Sequence, residues 1–598
     1  MDFEGPGVAF IYPPFSLIEI PPLGISMFKS ALLKEGIGCD IHYVNLLLDE
    51  ELGRLHGMIA STTPIELMLG EWLFAPSAFG ENPDADLAYL QEVLWKKYKD
   101  VFTPFIVKEL FEIRDRLPSF LDKFVEETDW SRYAVVGFSS SFQQHCASLA
   151  LAKRIKSKFP EIQILFGGAN CFGTKGEALC RLFPFIDYVC TGEGDEAVPK
   201  LIKTLLNDDP VPEIPGVVSR NSGKTCESGL VKDLDCLPFP DYSDYFDTLK
   251  SGRKLTDLDI NIPIETSRGC WWGEKKQCTF CGFNPRGMLF RCKSPTRVLD
   301  EIQYVQDNYG NKIHVADNIM AQQYFQTLLP QLADQKGIKF FWEVKASLTS
   351  EQVRLLACAG ITELQVGIES LNDSVLRLMQ KGTKLIHNIQ ILKWGKQFGI
   401  DVSYNILWGF PGEDPNEYAA MIQFIPKIRH LAPPNSYGHI RFDRFSAYWK
   451  EPSKYGITRL VPSNVYRHIF HSLPEDDLYD IAHYFDAEYN DISEIYAQDL
   501  IAVLKEWKSR TDAVLDVFTS GKSITIKDTR KGTMNEYNYN DLAADLYLQC
   551  DTAQTIQALL KMNRVSRTGI QAVLDQFVAD DLMIYSGGKY LSLGVLRS

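Results

Sequence analysis

Three closely spaced cysteines form the strongest chemical signal in the sequence. Cys270, Cys278 and Cys281 lie within "GCWWGEKKQCTFCG", and Cys292 follows. Three thiolates can bind a zinc ion or an iron–sulfur cluster. Structural zinc sites usually combine two CxxC pairs, or one CxxC with paired histidines, but this segment has one CxxC, and no histidine lies between residues 146 and 313. The spacing leaves open a zinc site completed by a fourth ligand such as Cys292, or a metal site that lacks one protein ligand.

The cysteines follow the first of several strands that alternate with helices. The predicted strands are "IPIETSRG", "KIHVADNI", "KFFWEVKAS", "ELQVGIES", "DVSYNILWGF" and "YGHIRFDRFS". Short apolar strands separated by amphipathic helices predict a parallel sheet. Five or six such units are enough for a partial (β/α)6 barrel, whose chemistry lies at the carboxyl ends of the strands. We expect this barrel to span residues 261–446.

An earlier alternation of strands and helices predicts a second parallel sheet. Residues 1–205 read as a doubly wound domain with a helical insertion at about 50–128, and residues 206–260 read as a linker rich in Pro, Asp and Gly. Ligands of such sheets bind at the carboxyl ends of the strands. Polar and small residues lie at those ends in Ser139–Ser141, Gly167–Gly168 and Gly192–Asp195.

The last part of the chain changes pattern again. Residues 447–598 begin with helical, aromatic segments, followed by three short strands, three helices and a hairpin, "LMIYSGGKYLSL". Three strands, three helices and a hairpin predict a winged-helix-like α+β module. The whole chain is therefore predicted to be an α/β multidomain protein.

Charge and cysteine content limit the classes of partner. The net charge is −15 and the pI is near 5.3, so we expect the chain to repel nucleic acid and anionic membranes. No apolar run is long enough to span a bilayer, and the N-terminus does not read as a signal peptide. Thirteen scattered cysteines favour a reducing cytoplasm over a disulfide framework. The oligomeric state is not indicated.

The cysteine segment, together with "ELQVGIES" and "NILWGFPGED", resembles the radical S-adenosylmethionine (SAM) superfamily. In that family three cysteines bind a [4Fe–4S] cluster, and the fourth iron binds the amine and carboxylate of SAM. The resemblance assigns these roles to Cys270, Cys278 and Cys281 and leaves Cys292 outside the cluster. The usual family spacing is CxxxCxxC, whereas here seven residues separate the first two cysteines. That longer gap, with "CWWG" and "FCG", is similar to a subgroup that modifies ribosomally synthesised peptides.

The same resemblance implies contacts to SAM. Phe280 occupies the position where the family places an aromatic ring beside the adenine. Glu369 is expected to bind ribose hydroxyls, Lys345 the SAM carboxylate, and Asn405 the ribose or adenine, although each of these three is equally compatible with a solvated or structurally paired polar residue. Glycine at a strand end allows a cofactor to approach the backbone. The predicted SAM-binding residues are Phe280, Lys345, Glu369, Ser370, Asn405 and Gly409.

The domain ahead of the barrel resembles the cobalamin-binding domain of B12-dependent radical SAM enzymes. The resemblance rests on "FGGAN" and "TGEGD", which follow successive strands. The loop after the first strand, "YPPFSLIEIPPLG", has no histidine where many such domains carry DxHxxG, so cobalamin would lack a histidine lower ligand. The alternative is a degenerate domain that no longer binds a corrinoid. The predicted cobalamin-binding residues are Ser139, Ser140, Ser141, Gln143, Gly167, Gly168, Ala169, Gly192 and Glu193.

Together the resemblances imply a cobalamin-dependent radical SAM C-methyltransferase that acts on a residue of a precursor peptide. A 5′-deoxyadenosyl radical would remove hydrogen from an unactivated carbon, methylcobalamin would deliver the methyl group, and an external electron donor would be required. No side chain is assigned as a general base. The C-terminal module is predicted to add a leader peptide to a sheet edge near "SITIKDTR", or else to act as a structural cap. The alternatives are a non-methylating rearrangement or epimerisation, and a zinc-stabilised corrinoid- or peptide-binding protein.

Overall fold

The computed structural model describes residues 7–220, 229–252, 258–283, 288–510, 512–563 and 565–597. Contacts between residues divide the chain into two compact units that alternate along the sequence. The first unit comprises residues 1–264, 300–310 and 460–486, and the second comprises 265–299, 311–459 and 487–598. These units differ from the divisions at residues 205, 260 and 446 inferred from sequence patterns, because residues 300–310 and 460–486 group with the first unit.

The first part of the chain forms a sheet flanked by helices. Its strands are β1 Val8–Tyr12, β2 Cys39–Tyr43, β3 Val135–Ser139, β4 Gln163–Gly167, β5 Tyr188–Cys190 and β6 Val217–Ser219. Its helices are α1 Leu23–Lys34, α2 Val44–Leu52, α3 Arg54–Gly57, α4 Leu69–Phe79, α5 Pro83–Tyr89, α6 Trp95–Tyr98, α7 Pro104–Glu127, α8 His145–Lys158, α9 Thr174–Leu182, α10 Ala197–Leu206 and α11 Ser243–Ser251.

The sheet of the first unit has the order β2-β1-β3-β4-β5-β6. Strands β1 to β5 are parallel, which confirms the predicted parallel sheet, and β6 is antiparallel to β5. The strand order reverses between β1 and β3, and in open α/β sheets a ligand crevice forms at such a switch point. Helix α4, from the predicted helical insertion, packs against α7 and α8.

The predicted linker contains regular structure that the sequence patterns did not indicate. Strand β6 and helix α11 both lie within residues 206–260. The apolar run of β6 is only three residues long, and Pro, Asp and Gly surround it. In α11, Tyr245 and Leu249 are buried in the core of the first unit, so packing rather than local propensity stabilises this helix.

The middle of the chain contains the strands β7 Ile262–Ile264, β8 Ser267–Arg268, β9 Arg291–Cys292, β10 Lys312–Val315, β11 Lys339–Val344, β12 Ile361–Val366, β13 Asp401–Ser403, β14 Asn405–Trp408, β15 Ser436–His439 and β16 Phe442–Asp443. Its helices are α12 Trp271–Lys275, α13 Pro295–Asn308, α14 Tyr324–Thr327, α15 Leu329–Ala333, α16 Ser350–Cys358, α17 Asp373–Leu378, α18 Leu385–Phe398 and α19 Pro415–Phe424.

Strands β10 to β15 of the second unit run in parallel, as predicted for this segment. Strands β10 to β13 pair in sequence order, and β14 pairs with β15. A bridge between Glu369 and Ile406 continues the series from the end of β12 to β14. The carboxyl ends of these strands therefore face one side, and Lys345, Glu369, Ser370 and Gly409 follow them there. Asn405 does not, because it is the first residue of β14.

The last part of the chain contains α20 Ala447–Lys450, β17 Arg459–Pro462, α21 Val465–Ile469, α22 Glu475–Ile481, β18 Tyr484–Glu488, α23 Ala497–Ser509, β19 Leu515–Ser520, β20 Ser523–Asp528, β21 Asn535–Asn540, α24 Asp541–Gln549, α25 Ile556–Met562, α26 Arg567–Ala579, β22 Met583–Ser586, β23 Lys589–Ser592 and β24 Val595–Arg597. Of the helices that the structure describes, none has both the length and the apolar character that a membrane span requires.

The C-terminal sheet corrects one prediction. Its order is β21-β20-β19-β24, and β20 contains "SITIKD". Strand β20 is therefore hydrogen-bonded on both sides and is not an edge, so a peptide cannot add to the sheet there. The prediction was wrong because β20 is the middle strand of an antiparallel meander, paired with β19 on one side and with β21 on the other. In addition β24, the last strand that the structure describes, pairs in parallel with β19. The edges are β21 and β24.

Candidate functional site

The cysteine segment is fixed at its start by a buried carboxylate. Asp317, just after β10, accepts hydrogen bonds from the backbone amides of Thr266 and Ser267 at 2.7 and 2.9 Å, and from both of their hydroxyl groups. Burial raises the pKa of Asp317 to about 6, although these hydrogen bonds oppose the shift. The carboxylate thus joins the cysteine segment to the carboxyl end of β10.

Further contacts hold the loop that carries the thiols. Cys270 precedes α12, and its Sγ accepts a hydrogen bond from the amide of Gly273 at 3.3 Å. Next to Cys278, the amide of Thr279 donates to the carbonyl of Met379 at 3.0 Å, and its hydroxyl donates to that of Tyr448 at 2.9 Å. The loop is therefore attached to two other segments of the second unit, each distant in sequence.

The three thiols share one electrostatic environment. Cys270, Cys278 and Cys281 are all half-buried. Burial raises the pKa of Cys278 and of Cys281, the latter to about 11, while the positive charge of Lys381 opposes both shifts. The charges of neighbouring thiols also raise both pKa values, so the three sulfurs lie within electrostatic range of one another. Metal binding requires thiolates, which a nearby ammonium group favours.

Three half-buried thiols are a donor set that fits an iron–sulfur cluster. Zinc holds thiolates at about 2.3 Å and so brings the sulfurs close together, whereas a [4Fe–4S] cluster binds cysteines at separate irons. Cys292 lies in β9, where its sulfur accepts a hydrogen bond from the amide nitrogen of Gln323 at 3.1 Å.

Lys345, predicted to bind the SAM carboxylate, lies beside the cysteine segment. Its Nζ is 3.1 Å from the centroid of the Trp272 ring and 5.5 Å from that of Trp271. Burial lowers the pKa of Lys345 to about 8, while the charge of Cys278 opposes the shift. The ammonium group is therefore stabilised by an aromatic face as well as by the thiols.

Glu369, predicted to bind ribose, forms an ion pair that the sequence analysis missed. Its Oε1 lies 3.0 Å from Nζ of Lys381, and its backbone adopts a positive φ of 59°. Lys381 Nζ is also 5.4 Å from the centroid of the Phe280 ring. The structure thus brings Glu369, Phe280 and two of the thiols around one lysine. No motif marked Lys381, because its role depends on contacts with segments distant in sequence.

Ser370, Asn405 and Gly409 already have partners within the protein. The Ser370 hydroxyl accepts a hydrogen bond from the amide of Asn372 at 3.2 Å, and Asn405 Oδ1 accepts one from the Ser436 hydroxyl at 2.6 Å. A Cβ atom on Gly409 would lie 2.1 Å from Nε2 of His439. Position 409 therefore requires glycine because the imidazole of His439 occupies the space that a side chain would need.

A buried carboxylate shapes the turn after β14. Glu413 accepts hydrogen bonds from the amides of Gly409 and Phe410 at 3.0 and 2.8 Å and from the hydroxyl of Tyr418 at 2.8 Å. The hydroxyl of Tyr496 also donates to it. The sequence "GFPGE" marked this turn, but nothing in it indicated a tyrosine so far along the chain.

In the first unit, two predicted cobalamin contacts face the protein interior. The Ser140 hydroxyl lies 2.8 Å from Nδ1 of His145. The Gln143 side chain accepts from the amide of Gly70 at 2.6 Å and donates to the carbonyl of Ile59 at 3.2 Å. Gln143 therefore joins the loop after β3 to the helical insertion.

The remaining predicted cobalamin contacts stay at least partly accessible at the ends of β3, β4 and β5. Gly168 and Ala169 are exposed, and the others are half-buried: Ser139, Ser141, Gly167, Gly192 and Glu193. Gly168 has a φ of 97°, and a Cβ there would lie 2.6 Å from the carbonyl oxygen of Ser140. Small, accessible residues at the strand ends beside the switch point fit a flat ligand that approaches the backbone closely.

Comparisons with known proteins identify the domain that carries the cysteine segment. Residues 264–425 match the Radical SAM superfamily, so the chain carries a radical SAM domain, which implies a [4Fe–4S] cluster and SAM. Hopanoid C-3 methylase of Methylococcus capsulatus is 27% identical over 338 residues, which span 52% of this chain and 61% of the relative. Cobalamin-dependent radical SAM methyltransferase TokK of Streptomyces tokunonensis is 27% identical over 174 residues, 28% of this chain and 25% of the relative.

The overall fold also has a solved counterpart. The radical SAM methyltransferase TsrM of Kitasatospora setae, solved with cobalamin and a [4Fe–4S] cluster, is similar with a TM-score of 0.53 and 14% identity. The similarity covers 84% of this chain and 90% of that one. At this identity the similarity establishes the fold.

Proposed function

From the premise of a radical SAM domain at residues 264–425, we propose that this protein is a cobalamin-dependent radical SAM methyltransferase. The observation that carries the proposal is the group of three half-buried thiols beside Lys381 and Lys345, at the carboxyl ends of parallel strands. The methylase names of two relatives and the cobalamin-bound fold counterpart support the methyl transfer and the corrinoid.

Each group in the site has a distinct task in this proposal. Cys270, Cys278 and Cys281 would hold the cluster, and Lys381 would balance their negative charge. Lys345 and Glu369 flank the place where SAM would bind. When bound, the cluster with SAM supplies a hydrogen-abstracting carbon radical and cobalamin supplies the methyl group. The side chains position and exclude water rather than exchange protons with the reacting carbon.

The accessible residues at the strand ends of the first unit would receive the corrinoid. The nine residues between Tyr12 and Pro22 contain no histidine, so the cobalt would lack a histidine lower ligand. The corrinoid must bind without using the side chains of Ser140 and Gln143, because both already have hydrogen-bond partners within the protein. We therefore assign the corrinoid contacts to Ser139, Gly167, Gly168 and Ala169 in preference to those two.

The proposed substrate is a residue of a ribosomally made precursor peptide. The longer cysteine spacing supports it, as does the exposed edge strand β21, whose residues alternate between exposed and half-buried. A leader peptide would extend the C-terminal sheet at β21, which has β20 as its only strand neighbour within the part of the chain that the structure describes. A non-methylating rearrangement or epimerisation would use the same cofactors and is separated by product mass.

Anaerobic incubation tests the proposal. The reconstituted protein would be mixed with SAM, methylcobalamin, a reductant and peptides encoded near its gene, and the products analysed by mass spectrometry. We expect a mass increase of one CH₂ unit that disappears in Cys278→Ala. A product of unchanged mass would indicate rearrangement or epimerisation, and a protein that binds corrinoid but neither iron nor SAM would contradict the proposal.

A further inference from the structure

A cleft of about 410 Å³ opens beside the cysteine segment in the second unit. Its walls are Trp272 of α12, the segment from α17 to the start of α18, and Gly587 in the turn between β22 and β23. None of the residues predicted to bind the cluster, SAM or cobalamin lines it. Its volume is in the range of sites that receive a ligand or a protruding group of a partner.

The rim of the cleft is positively charged. Lys276, Arg377 and Lys384 line it and are exposed, and none has an ion-pair partner among the described residues. The single acidic residue of the lining, Asp373, uses its carboxylate to accept a hydrogen bond from the amide of Leu385 at 2.6 Å. The chain as a whole has a net charge of −15, so a local excess of positively charged side chains is unusual in it and favours an anionic partner.

A buried hydroxyl also points to an external acceptor. Thr383 lines the cleft, is 6% exposed, and its Oγ1 has no hydrogen-bond partner among the described residues. A buried hydroxyl without a partner is costly, so a group that accepts its hydrogen bond would gain affinity. Thr383 lies two residues before the fourteen-residue helix α18, whose amino end favours negative charge and whose first amide, at Leu385, donates to the carboxylate of Asp373.

Trp272 connects the cleft to the thiols. It lies two residues after Cys270, so their Cα atoms are within about 7 Å of each other. Its ring nitrogen donates to the carbonyl of Gln380 at 3.2 Å, and a Cβ on Gly382 would lie 2.1 Å from the ring. A partner bound in the cleft would therefore contact Trp272, which lies two residues from Cys270.

We propose that this cleft is the docking site of a small acidic one-electron carrier protein, and this proposal rests on the proposed function. In the transfer one electron leaves the reduced carrier and enters the cluster, and no covalent bond forms or breaks. Electron-transfer encounters use small, polar interfaces, which suits a charged rim around a modest cleft. An acidic peptide would satisfy the charges but would not explain why Trp272 of α12, the helix that directly follows Cys270, forms one wall.

The test uses a triple variant, Lys276→Glu/Arg377→Glu/Lys384→Glu, with a control of equal charge change. The control, Lys505→Glu/Lys522→Glu/Lys561→Glu, alters three exposed lysines that lie far in sequence from the cysteine segment. The full-length proteins would be compared for binding of a reduced acidic flavodoxin by calorimetry at low and high salt. SAM cleavage would be measured with that flavodoxin and, separately, with dithionite.

We expect the triple variant to raise the Kd for flavodoxin about tenfold or more and to remove most of its salt dependence. Its flavodoxin-supported SAM cleavage should fall by a similar factor, with the dithionite-supported rate unchanged and the control like wild type. Unchanged flavodoxin binding in the triple variant would overturn the proposal. A triple variant that binds flavodoxin like the wild type but has lost affinity for a substrate peptide would also overturn it. If wild-type protein cleaves no SAM with dithionite, the proposed function fails, whereas the binding data still decide the docking site.

Discussion

Removing Lys381 tests the charged pair beside the thiols. Lys381 Nζ lies 3.0 Å from Glu369 Oε1, and the two side chains are only 14% and 13% exposed. Burial opposes the charge on Lys381, but Glu369 and Cys278 outweigh it and raise the pKa of the lysine. Lys381→Met would leave Glu369 as a buried, unpaired carboxylate, a change that costs about 3–5 kcal/mol. Because the pair retains slight exposure, we expect a loss near 3 kcal/mol in unfolding free energy.

A double-mutant cycle isolates the pair. Lys381→Met, Glu369→Gln and the double variant would be unfolded with urea as apo proteins. The double variant removes both charges of the pair, so its loss in unfolding free energy should be smaller than the sum of the single losses by about 2 kcal/mol or more. The exposed pair Arg459–Glu488, with side chains 57% and 63% exposed, provides the control, and Arg459→Met should change stability little.

The pH dependence of this cycle has a defined sign. A lysine whose pKa is raised in the folded state contributes its full stabilisation below the ordinary lysine pKa of about 10.4 and loses it only at higher pH. The coupling free energy between Lys381 and Glu369 should therefore be equal at pH 6 and pH 9. Additive single losses, or a Lys381→Met loss as small as that of Arg459→Met, would refute the placement of a buried ion pair beside the thiols.

Three further predictions concern the site and its frame. Cys292→Ala should retain iron after anaerobic reconstitution, whereas iron content should collapse on replacing any of Cys270, Cys278 and Cys281. Burial raises the pKa of Glu343 to about 7, so folding stability should decline as pH rises from about 4.5 to 7, and Glu343→Gln should flatten that decline in urea titrations. Gly409→Ala should lower the melting temperature more than Gly412→Ala, because both glycines have positive φ but only at Gly409 would the new Cβ meet His439; equal shifts would contradict this contact.

Much of the fold follows from local patterns. The parallel strands of both units were predictable because each strand is a short apolar run followed by an amphipathic helix. Strand β6 and helix α11 were not, because a three-residue strand and a helix stabilised by burial of Tyr245 give little local signal. The pairing of β24 with β19 was not predictable, because it depends on contacts between distant segments. The edge was misassigned to β20 for a different reason: β20 lies between its neighbours in sequence, β19 and β21, and pairs with both.

The residues of the site likewise divide into those that local patterns predict and those that depend on contacts between distant segments. The cysteines were identifiable because metal-binding thiols occur at short, fixed spacing. Lys381 and Tyr496 were not, since each acts through a carboxylate that lies elsewhere in the chain, Glu369 and Glu413 respectively. Residue type also misleads when a protein uses its own polar groups, and Gln143, which binds Gly70 and Ile59, is an example.

Electron paramagnetic resonance of the reconstituted, reduced protein tests the central claim most directly, because it reports whether SAM binds at the iron cluster held by three thiolates. We predict a one-electron-reduced [4Fe–4S] signal whose g values change when SAM is added and which is absent from Cys270→Ala. A signal that SAM leaves unchanged, or a protein that takes up one zinc ion and no iron, would contradict the account.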